Sequence, residues 1–423
     1  MTVGLSFLGL LLAGLPISLA LAAVALIYIA VSGNLVLLQS YPQQMFGGLE
    51  NYGMLALPLF ILLGEFMNAG GIGRRLMALA LAALPQLRGG LAYVNLGANM
   101  MMASILGSTV AQITIMARLA VPEMEKAGYP RDVSAAITAA GGLLAPIIPP
   151  SMLFIIYGVI AQVPIGEMFV AGILPGVLIF LGFCGLIGWM AQRRDFPRTP
   201  RMTRAERLRA VVEALPAALI PLSIIVSILG GFATPTESAV VASLLAILIG
   251  LFVYREMTVA DIWPALVSAG RGAAVVLFLI ASAQVFAWVI TFANVPAAVA
   301  AWLSGLTDSP VLFLLLLNLL LLGVGMVMDP IPAIILIVPV FLPVATGVYG
   351  LDPIHFGIVL CLNLTLGLVT PPVGTGLFTA SLLTRVRAER LAALLVPFLA
   401  VAFLVILLII VWPEITLALA RWL

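Results

Sequence analysis

The sequence predicts an all-α polytopic membrane protein made of two inverted repeats, each holding a re-entrant hairpin and a proline-broken helix. Three observations carry that expectation. The 423-residue chain is 63% hydrophobic and only 9% charged, against about 25% charged in a soluble domain. Apolar runs at 17–31, 170–190, 216–232, 239–254 and 391–412 approach or exceed the roughly 20 residues that cross a bilayer. Two apolar segments, GGLLAPIIPPS at 141–151 and LNLTLGLVTPPVGTG at 362–376, carry glycines and a Pro-Pro pair in mid-span. A helix broken at membrane depth leaves N–H and C=O groups that lipid cannot satisfy, so such breaks are expected to line a cavity or hold something polar. Paired breaks in two halves of a chain point to the binding site of a secondary transporter.

Composition narrows the alternatives. The alternating ten-residue pattern of an outer-membrane barrel is missing, and no basic region precedes the first apolar run, so a cleavable signal peptide is not expected. Cys184 and Cys361 lie in apolar segments without metal or redox spacing and read as packing residues. The sequence holds no phosphate-binding loop and no paired histidines, which speaks against an ATP-driven pump or a metalloenzyme and leaves an ion gradient as the energy source. An intramembrane enzyme would want a Ser/Lys pair, paired Asp or a metal triad at depth, and the sole lysine, Lys126, falls in a predicted loop. A purely structural scaffold leaves the paired breaks unexplained. The run Arg193, Arg194, Arg198, Arg201, Arg204, Arg207 and Arg209 marks a cytoplasmic loop. It is too short to build a folded basic domain for nucleic acid.

The halves match beyond the breaks. LPISLALAAVALIYI around Pro16 resembles TPTESAVVASLLAIL around Pro235, and Gly128 pairs with Gly350, each just before a broken span. Residues 1–190 therefore read as the first repeat and 214–423 as the second, joined by a cytoplasmic arginine-rich linker at 191–213. With that linker inside, 168–190 crosses once and the broken span 132–162 crosses back. The segment 93–121, interrupted by GSTVAQ, reads as a hairpin entering and leaving from the cytoplasm. Arg74, Arg75 and Arg88 then sit inside, on an arm flanking the membrane. In the second repeat the hairpin at 311–345 enters from outside, its tip near MVMDPIPA, and the broken span 354–383 returns to the cytoplasm at Arg385. Every one of the 19 basic residues except Arg421 then lies inside, as the positive-inside rule asks. Full crossings in place of the hairpins would scatter them on both faces. One hairpin opens inward and the other outward, so the repeats are inverted and their tips and breaks meet near the midplane. The N-terminus falls outside, with 2–15 as a short first span.

The breaks and tips hold the candidate chemistry. Pro149, Pro150, Pro371 and Pro372 remove N–H donors and push the preceding residue out of the helical region. Carbonyls around Gly142, Ala145, Gly367 and Thr370 are therefore expected to lose their helical partners. A ring of carbonyl and hydroxyl oxygens suits a hard cation such as Na+, and half-helix N-termini favour a substrate carboxylate. Prolines that merely kink helices for packing would not explain two matched instances with adjacent Gly and Thr or Ser. At the first tip Gly107, Ser108 and Thr109 offer flexible backbone and two hydroxyls. The counterpart is Gly323, Gly325 and Asp329, followed by Pro330 and Pro332. A carboxylate at membrane depth is a functional-site hypothesis by default. Asp329 also reads as the N-cap of a helix starting near Pro330, and the two roles can coexist. Asn99, Asn318 and Asn363 bridge helices or face the cavity, with Asn363 the best placed, two turns before Pro371. Glu65 and Glu237 read as capping or subunit-contact residues near helix ends. His355, the only histidine, follows Asp352 and Pro353 at a predicted outer loop and is expected at a surface or interface rather than in a proton relay.

Together GGLLAPIIPPS, GMVMDPIPAIILIVPVFLPVA and GLVTPPVGTGLF closely resemble the large membrane subunit of TRAP transporters, the tripartite ATP-independent periplasmic carriers of bacteria and archaea. The resemblance covers nearly the whole chain, and the second-half motifs are its most specific part. It implies a fold like that of the ion transporter superfamily, with a fixed scaffold and a moving domain that carries both hairpins as an elevator. It implies Na+-coupled uptake of an organic acid, a C4-dicarboxylate or sugar acid, across the bacterial inner membrane. It also implies two partners: a four-helix small membrane subunit, separate because this chain has no room for a fused one, and a soluble periplasmic substrate-binding protein. Carried over by motif, Na+ would be held by Gly107 and Ser108 with Gly142, Ala145 and Pro149, and by Gly323, Gly325 and Asp329 with Gly367, Thr370 and Pro371. Substrate would meet Ser108, Thr109, Asn363, Gly374 and Thr375. The outer loops are short and no arginine is assigned to the transport core, so intrinsic substrate affinity is expected to be weak. The runner-up is a stand-alone Na+- or H+-coupled carboxylate or anion carrier of related fold that needs no binding protein.

Overall fold

The computed structural model describes residues 2–50, 52–83, 87–193, 196–198 and 203–421. Arg194 and Arg201 of the basic linker lie outside the described residues. Within them the first half forms α1 (Thr2–Leu12), α2 (Ile17–Ser32), α3 (Leu37–Gly47), α4 (Ala56–Ala69), α5 (Ile72–Ala83), α6 (Gly90–Leu106), α7 (Thr109–Lys126), α8 (Arg131–Gly142), α9 (Met152–Ala161) and α10 (Ile165–Arg193). The second half forms α11 (Arg204–Leu229), α12 (Pro235–Leu248), α13 (Val259–Phe292), α14 (Val295–Ser304), α15 (Pro310–Val327), α16 (Pro330–Gly347), α17 (Pro353–Gly367), α18 (Thr375–Thr384), α19 (Ala388–Val411) and α20 (Glu414–Ala420). Among the described residues seven helices are long and apolar enough to cross a membrane. The chain is a multi-pass membrane protein.

The order of elements recurs. The hairpin α6–α7, the broken pair α8–α9 and the long helix α10 are followed in the second half by α15–α16, α17–α18 and α19. Local chemistry explains the stops. Gly107 ends α6 with φ +57, a left-handed conformation that glycine adopts without a Cβ penalty. Asp329 caps α16 by accepting the Ile331 N–H at 3.1 Å, with Pro330 at the first helical position. Asp352 does the same for α17, accepting from Ile354 at 2.8 Å. Glu237 completes a capping box with Thr234 at the start of α12, one of the two roles its sequence position suggested. Both Pro-Pro bonds, Pro149–Pro150 and Pro371–Pro372, are cis.

Packing divides the chain into two groups of helices. In one, α6 and α7 lie on α8, and α15 and α16 lie on α17. The halves also cross over: α7 packs on α18, and α16 packs on α9. Each hairpin therefore touches the broken helix of its own half and that of the other half. In the second group α4 packs on α12 and α13, α2 on α13, and α5 on α11. Helix α5 also packs on α6, and α13 packs on α16, so both join the groups. Helix α5 meets α4 at a 74° bend, at Gly70 and Gly71, where Gly71 has φ +66. The charge pattern led us to expect an arm at Arg74 and Arg75, but not its bend.

Several arginine-bearing helix ends are tied to neighbouring elements. Arg131 donates to the Thr384 carbonyl at 2.6 Å, and Arg390 bonds Asp132 at 2.9 Å, which ties the start of α8 to the end of α18 and the start of α19. Arg74 and Arg75 both bind Glu256. Part of the linker is packed rather than free: Phe196 is buried beside Tyr129, ring centroids 5.1 Å apart, and the Gly89 N–H bonds the Pro197 carbonyl at 3.1 Å.

Two single-residue expectations need correction. His355 is not at a surface: it is 1% exposed, and its Nδ1 sits 2.9 Å from the Thr416 hydroxyl. It lies in the first turn of α17, and α20 packs on that helix. Glu65 is not a cap; its carboxylate accepts the Ser268 hydroxyl at 2.8 Å, joining α4 to α13.

Candidate transport site

Both hairpin tips and both breaks converge on one small cavity of about 100 Å³. The first tip contributes Gly107, Ser108, Thr109 and Val110, and the second contributes Asp329, Pro330 and Ile331. Pro146, Met152 and Leu153 come from the first break and Leu368 from the second. Four segments far apart in sequence meet because each hairpin ends where a broken helix ends. Gly107 allows this on one side. A Cβ there would lie 3.2 Å from the Met152 nitrogen and on a left-handed residue, so glycine lets the first tip settle closely on the first break.

The second half is built on closer backbone contact. A Cβ on Gly367 would stand 2.5 Å from the Gly325 Cα, so the α15 and α17 backbones touch through two bare glycines. The Gly374 N–H then bonds the Met326 carbonyl at 3.0 Å, strapping the second break to its hairpin. The first half uses side chains instead. Gln112 donates to the Asn99 backbone carbonyl at 2.8 Å and to the Gly141 carbonyl at 3.3 Å, and Asn99 donates to Asn95 Oδ1 at 2.8 Å. Asn95 in turn donates to Thr138 at 2.7 Å. The whole chain of polar groups is buried.

Several oxygens at these places have no partner. The Thr109 hydroxyl and the side-chain oxygens of Gln112 and Asn363 are buried without a hydrogen bond, a situation that ordinarily costs about 1–3 kcal/mol per group. The carbonyls of Ala145 and Thr370 accept no hydrogen bond among the described residues. Those of Gly142 and Gly367 do, from Ala145 and Thr370 at 3.2 and 3.0 Å. The expectation that all four would lose their partners is thus corrected: each broken helix tightens into a final i→i+3 turn before it ends. An unpaired hydroxyl, unpaired carbonyls and one carboxylate are hard oxygen donors, and they fit a hard cation of the Na+ kind rather than a thiophilic metal.

A family model described as "Tripartite ATP-independent periplasmic transporter, DctM component" matches residues 5–415. The chain belongs to the DctM family. It is 37% identical over 421 residues to the 2,3-diketo-L-gulonate TRAP transporter large permease YiaN of Escherichia coli, covering 99% of each chain. It is 34% identical to the sialic acid TRAP transporter large permease SiaM of Vibrio cholerae, over 98% of this chain and 96% of that one. The YdaH transporter of Alcanivorax borkumensis, whose crystal structure shows an unusual topology, shares the fold at TM-score 0.68 with 16% identity, over 98% of both chains.

In this DctM-family chain the residues singled out from sequence fall into three places. Gly107, Ser108, Thr109 and Asp329 line the shared cavity. Gly142, Ala145 and Pro149 are buried in the first break; Gly325, Gly367 and Gly374 lie in the hairpin contact of the second. Gly323, Pro371 and Thr375 are exposed, and the half-buried Thr370 turns its hydroxyl back to the Leu366 carbonyl at 2.7 Å. Asn363 does not reach the cavity: it is wholly buried and donates to Asn318 across the α15–α17 contact. Sequence reasoning missed Gln112 and Asn95. GSTVAQ was read for its glycine and hydroxyls, although Gln112 ends that same string.

Proposed function

We propose that this chain is the membrane-transporting subunit of a Na+-coupled uptake system for a small organic acid, a C4-dicarboxylate or sugar acid. The shared cavity carries the reading, because both tips and both breaks end there, around the unpaired Thr109 hydroxyl and the Asp329 carboxylate. Ser108, Thr109 and Asp329 supply hydroxyl and carboxylate oxygens to the coupling ion, with Ala145 and Thr370 adding backbone carbonyls. The bound ion supplies positive charge beside the substrate carboxylate. Exposed Thr375 and the first turn of α18 present hydroxyl and N–H groups to the same anion. In this reading 1–190 and 214–423 are inverted repeats about the 191–213 linker. The hairpins and broken helices move as one elevator body against α2, α4, α11, α12 and α13, with α5 as the connecting arm.

The names of the relatives, which include 2,3-diketo-L-gulonate, sialic acid and C4-dicarboxylate permeases, support a carboxylate cargo. The family description as tripartite supports a small membrane subunit and a periplasmic binding protein as partners. The test is uptake into proteoliposomes with both partners, with and without an inward Na+ gradient. Uptake needing both Na+ and the binding protein is expected, and Asp329→Asn, which keeps the helix cap, should abolish the Na+ dependence. Na+-driven uptake without a binding protein would move the chain to the stand-alone carriers.

A further inference from the structure

A second cavity lies away from the tips, in the crevice between the bent arm α4–α5 and the first hairpin, with a volume of about 240 Å³. Its polar lining comes from Asn68, Arg74 and Arg118, and its apolar wall from Met67, Met102 and Ile115 among others. It is smaller than the roughly 300–1,000 Å³ of a drug-sized ligand pocket, so it suits a small acid or the charged end of a larger one.

The charges around it are unevenly matched. Glu256 is already held by Arg74 and Arg75. Farther along α7, Glu123 is bonded to Lys126 at 2.7 Å and Glu125 lies 3.5 Å from Arg131. Arg118 makes no hydrogen bond or ion pair among the described residues, although it opens onto the crevice. A guanidinium without a carboxylate, beside a second arginine and an amide, is a donor set for an oxyanion.

Helix geometry links this crevice to the transport site. Val110 lines the shared cavity and Arg118 the crevice. Val110, Thr114 and Arg118 follow i, i+4, i+8 spacing and share one face of α7. The row spans about 12 Å, eight residues at the α-helical rise. A solute leaving the tips along α7 would meet Arg118 at the end of that row.

We propose that the crevice is a low-affinity exit station for the anionic cargo, with Arg118 binding its carboxylate on the cytoplasmic side and Arg74 assisting. This rests on the transport reading above and adds a second substrate-contacting site to it. The same oxyanion chemistry could come from a lipid phosphate, so the test separates the two sources.

Leu119 lines the crevice next to Arg118, which makes Leu119→Cys a reporter in a Cys184→Ser background, Cys361 being buried. The 423-residue chain would be reconstituted in pure phosphatidylcholine vesicles permeabilised to solutes. Labelling by neutral N-ethylmaleimide is then followed against succinate, N-acetylneuraminate and glucose. Succinate or N-acetylneuraminate should slow labelling and glucose should not. Arg118→Ala should raise the half-protecting concentration about tenfold, the loss of one charge-assisted hydrogen bond, and Arg118→Lys should restore part of it. No slowing by either acid, or equal slowing in Arg118→Ala, overturns the proposal. So does slowing that appears only when phosphatidylglycerol is added, which would make this a lipid site. Thermal unfolding of the Arg118→Ala variant in detergent, unchanged from the parent, shows that the chain is folded. Because protection needs no gradient, its failure is separable from failure of Na+-coupled uptake.

Discussion

The two proline breaks share an order of elements, a cis Pro-Pro bond and a hairpin laid against them, yet their surroundings differ. Residues 141–151 of the first break are buried throughout, whereas Pro371, Pro372 and Val373 of the second are exposed. The first is fastened to its hairpin by buried side chains, from Gln112 through Asn99 and Asn95 to Thr138. The second is fastened by backbone, with Gly325 against Gly367 and Gly374 bonded to Met326. What the two halves share is the order of elements around each break; the chemistry that fastens the break to its hairpin differs between them. A sealed interior can use polar side chains because the network satisfies most of its own members. At an open break, bare backbone contact excludes water without committing long side chains.

The comparison breaks most easily at its glycines. Gly367→Ala places a methyl 2.3 Å from the Gly325 carbonyl carbon, and a backbone obstacle cannot rotate away. It should destabilise the protein by about 1–3 kcal/mol, the range for overpacking. Gly142→Ala meets the Ile113 side chain at 2.5 Å, and that side chain can shift, so the loss should be smaller. Thermal unfolding of the two variants in detergent checks this, and equal losses would mean that the halves are fastened alike. Comparable in size to Gly367→Ala is Gln112→Leu, which strips the bonds to Asn99 and Gly141 and should cost about 1–3 kcal/mol. Asn318→Leu should cost less. The Asn318 main-chain carbonyl still accepts from Asn363, at 3.1 Å.

How much of this was legible depends on whether backbone or side chain does the fastening. The hairpins, the breaks and the Asp329 cap could be read directly, because Gly, Pro and Asp act through local backbone geometry. The bend at Gly70 and Gly71 was not read, although the charge beyond it marked an arm. The Gln112 network could not be read: a glutamine within GSTVAQ gives no sign of which carbonyl, 29 residues on, it will meet. His355 was misplaced for the same reason, since its partner Thr416 lies 61 residues away. The crossing of α7 onto α18 and α16 onto α9 is likewise a tertiary fact without a local signal. It explains why one cavity, rather than two, collects the tips and breaks.

Hydroxyls at the two breaks sharpen the contrast further. The Thr109 hydroxyl is buried and unpaired, whereas that of Thr370 is bonded to the Leu366 carbonyl. Thr109→Val should therefore leave thermal stability nearly unchanged while raising the Na+ concentration for half-maximal uptake about tenfold, the scale of one lost polar contact. Thr370→Val, with its carbonyl intact, should move that concentration much less. Equal shifts would show that hydroxyls serve the ion on both sides.

The smallest expected effect concerns the arms. In the first half α5 is clamped by Glu256 through Arg74 and Arg75, with Arg75 stacked 3.8 Å over the Tyr254 ring. Its counterpart α14 makes no ion pair among the described residues. The Arg75 hydrogen bond, opposed by partial burial and aided by the charges of both arginines, holds the Glu256 carboxyl below its ordinary range. A depressed carboxylate stabilises the fold above its unfolded pKa, and that contribution is lost as pH falls through the folded value. Glu256→Gln should therefore lower the melting temperature at neutral pH, by an amount set by the roughly 0–1 kcal/mol of a partly exposed pair. The gap between variant and parent should close on acidification below the usual carboxylate range. A gap that persists in acid would mean that Glu256 holds the arm by packing. The first-half arm would then be fastened without charge, as α14 is.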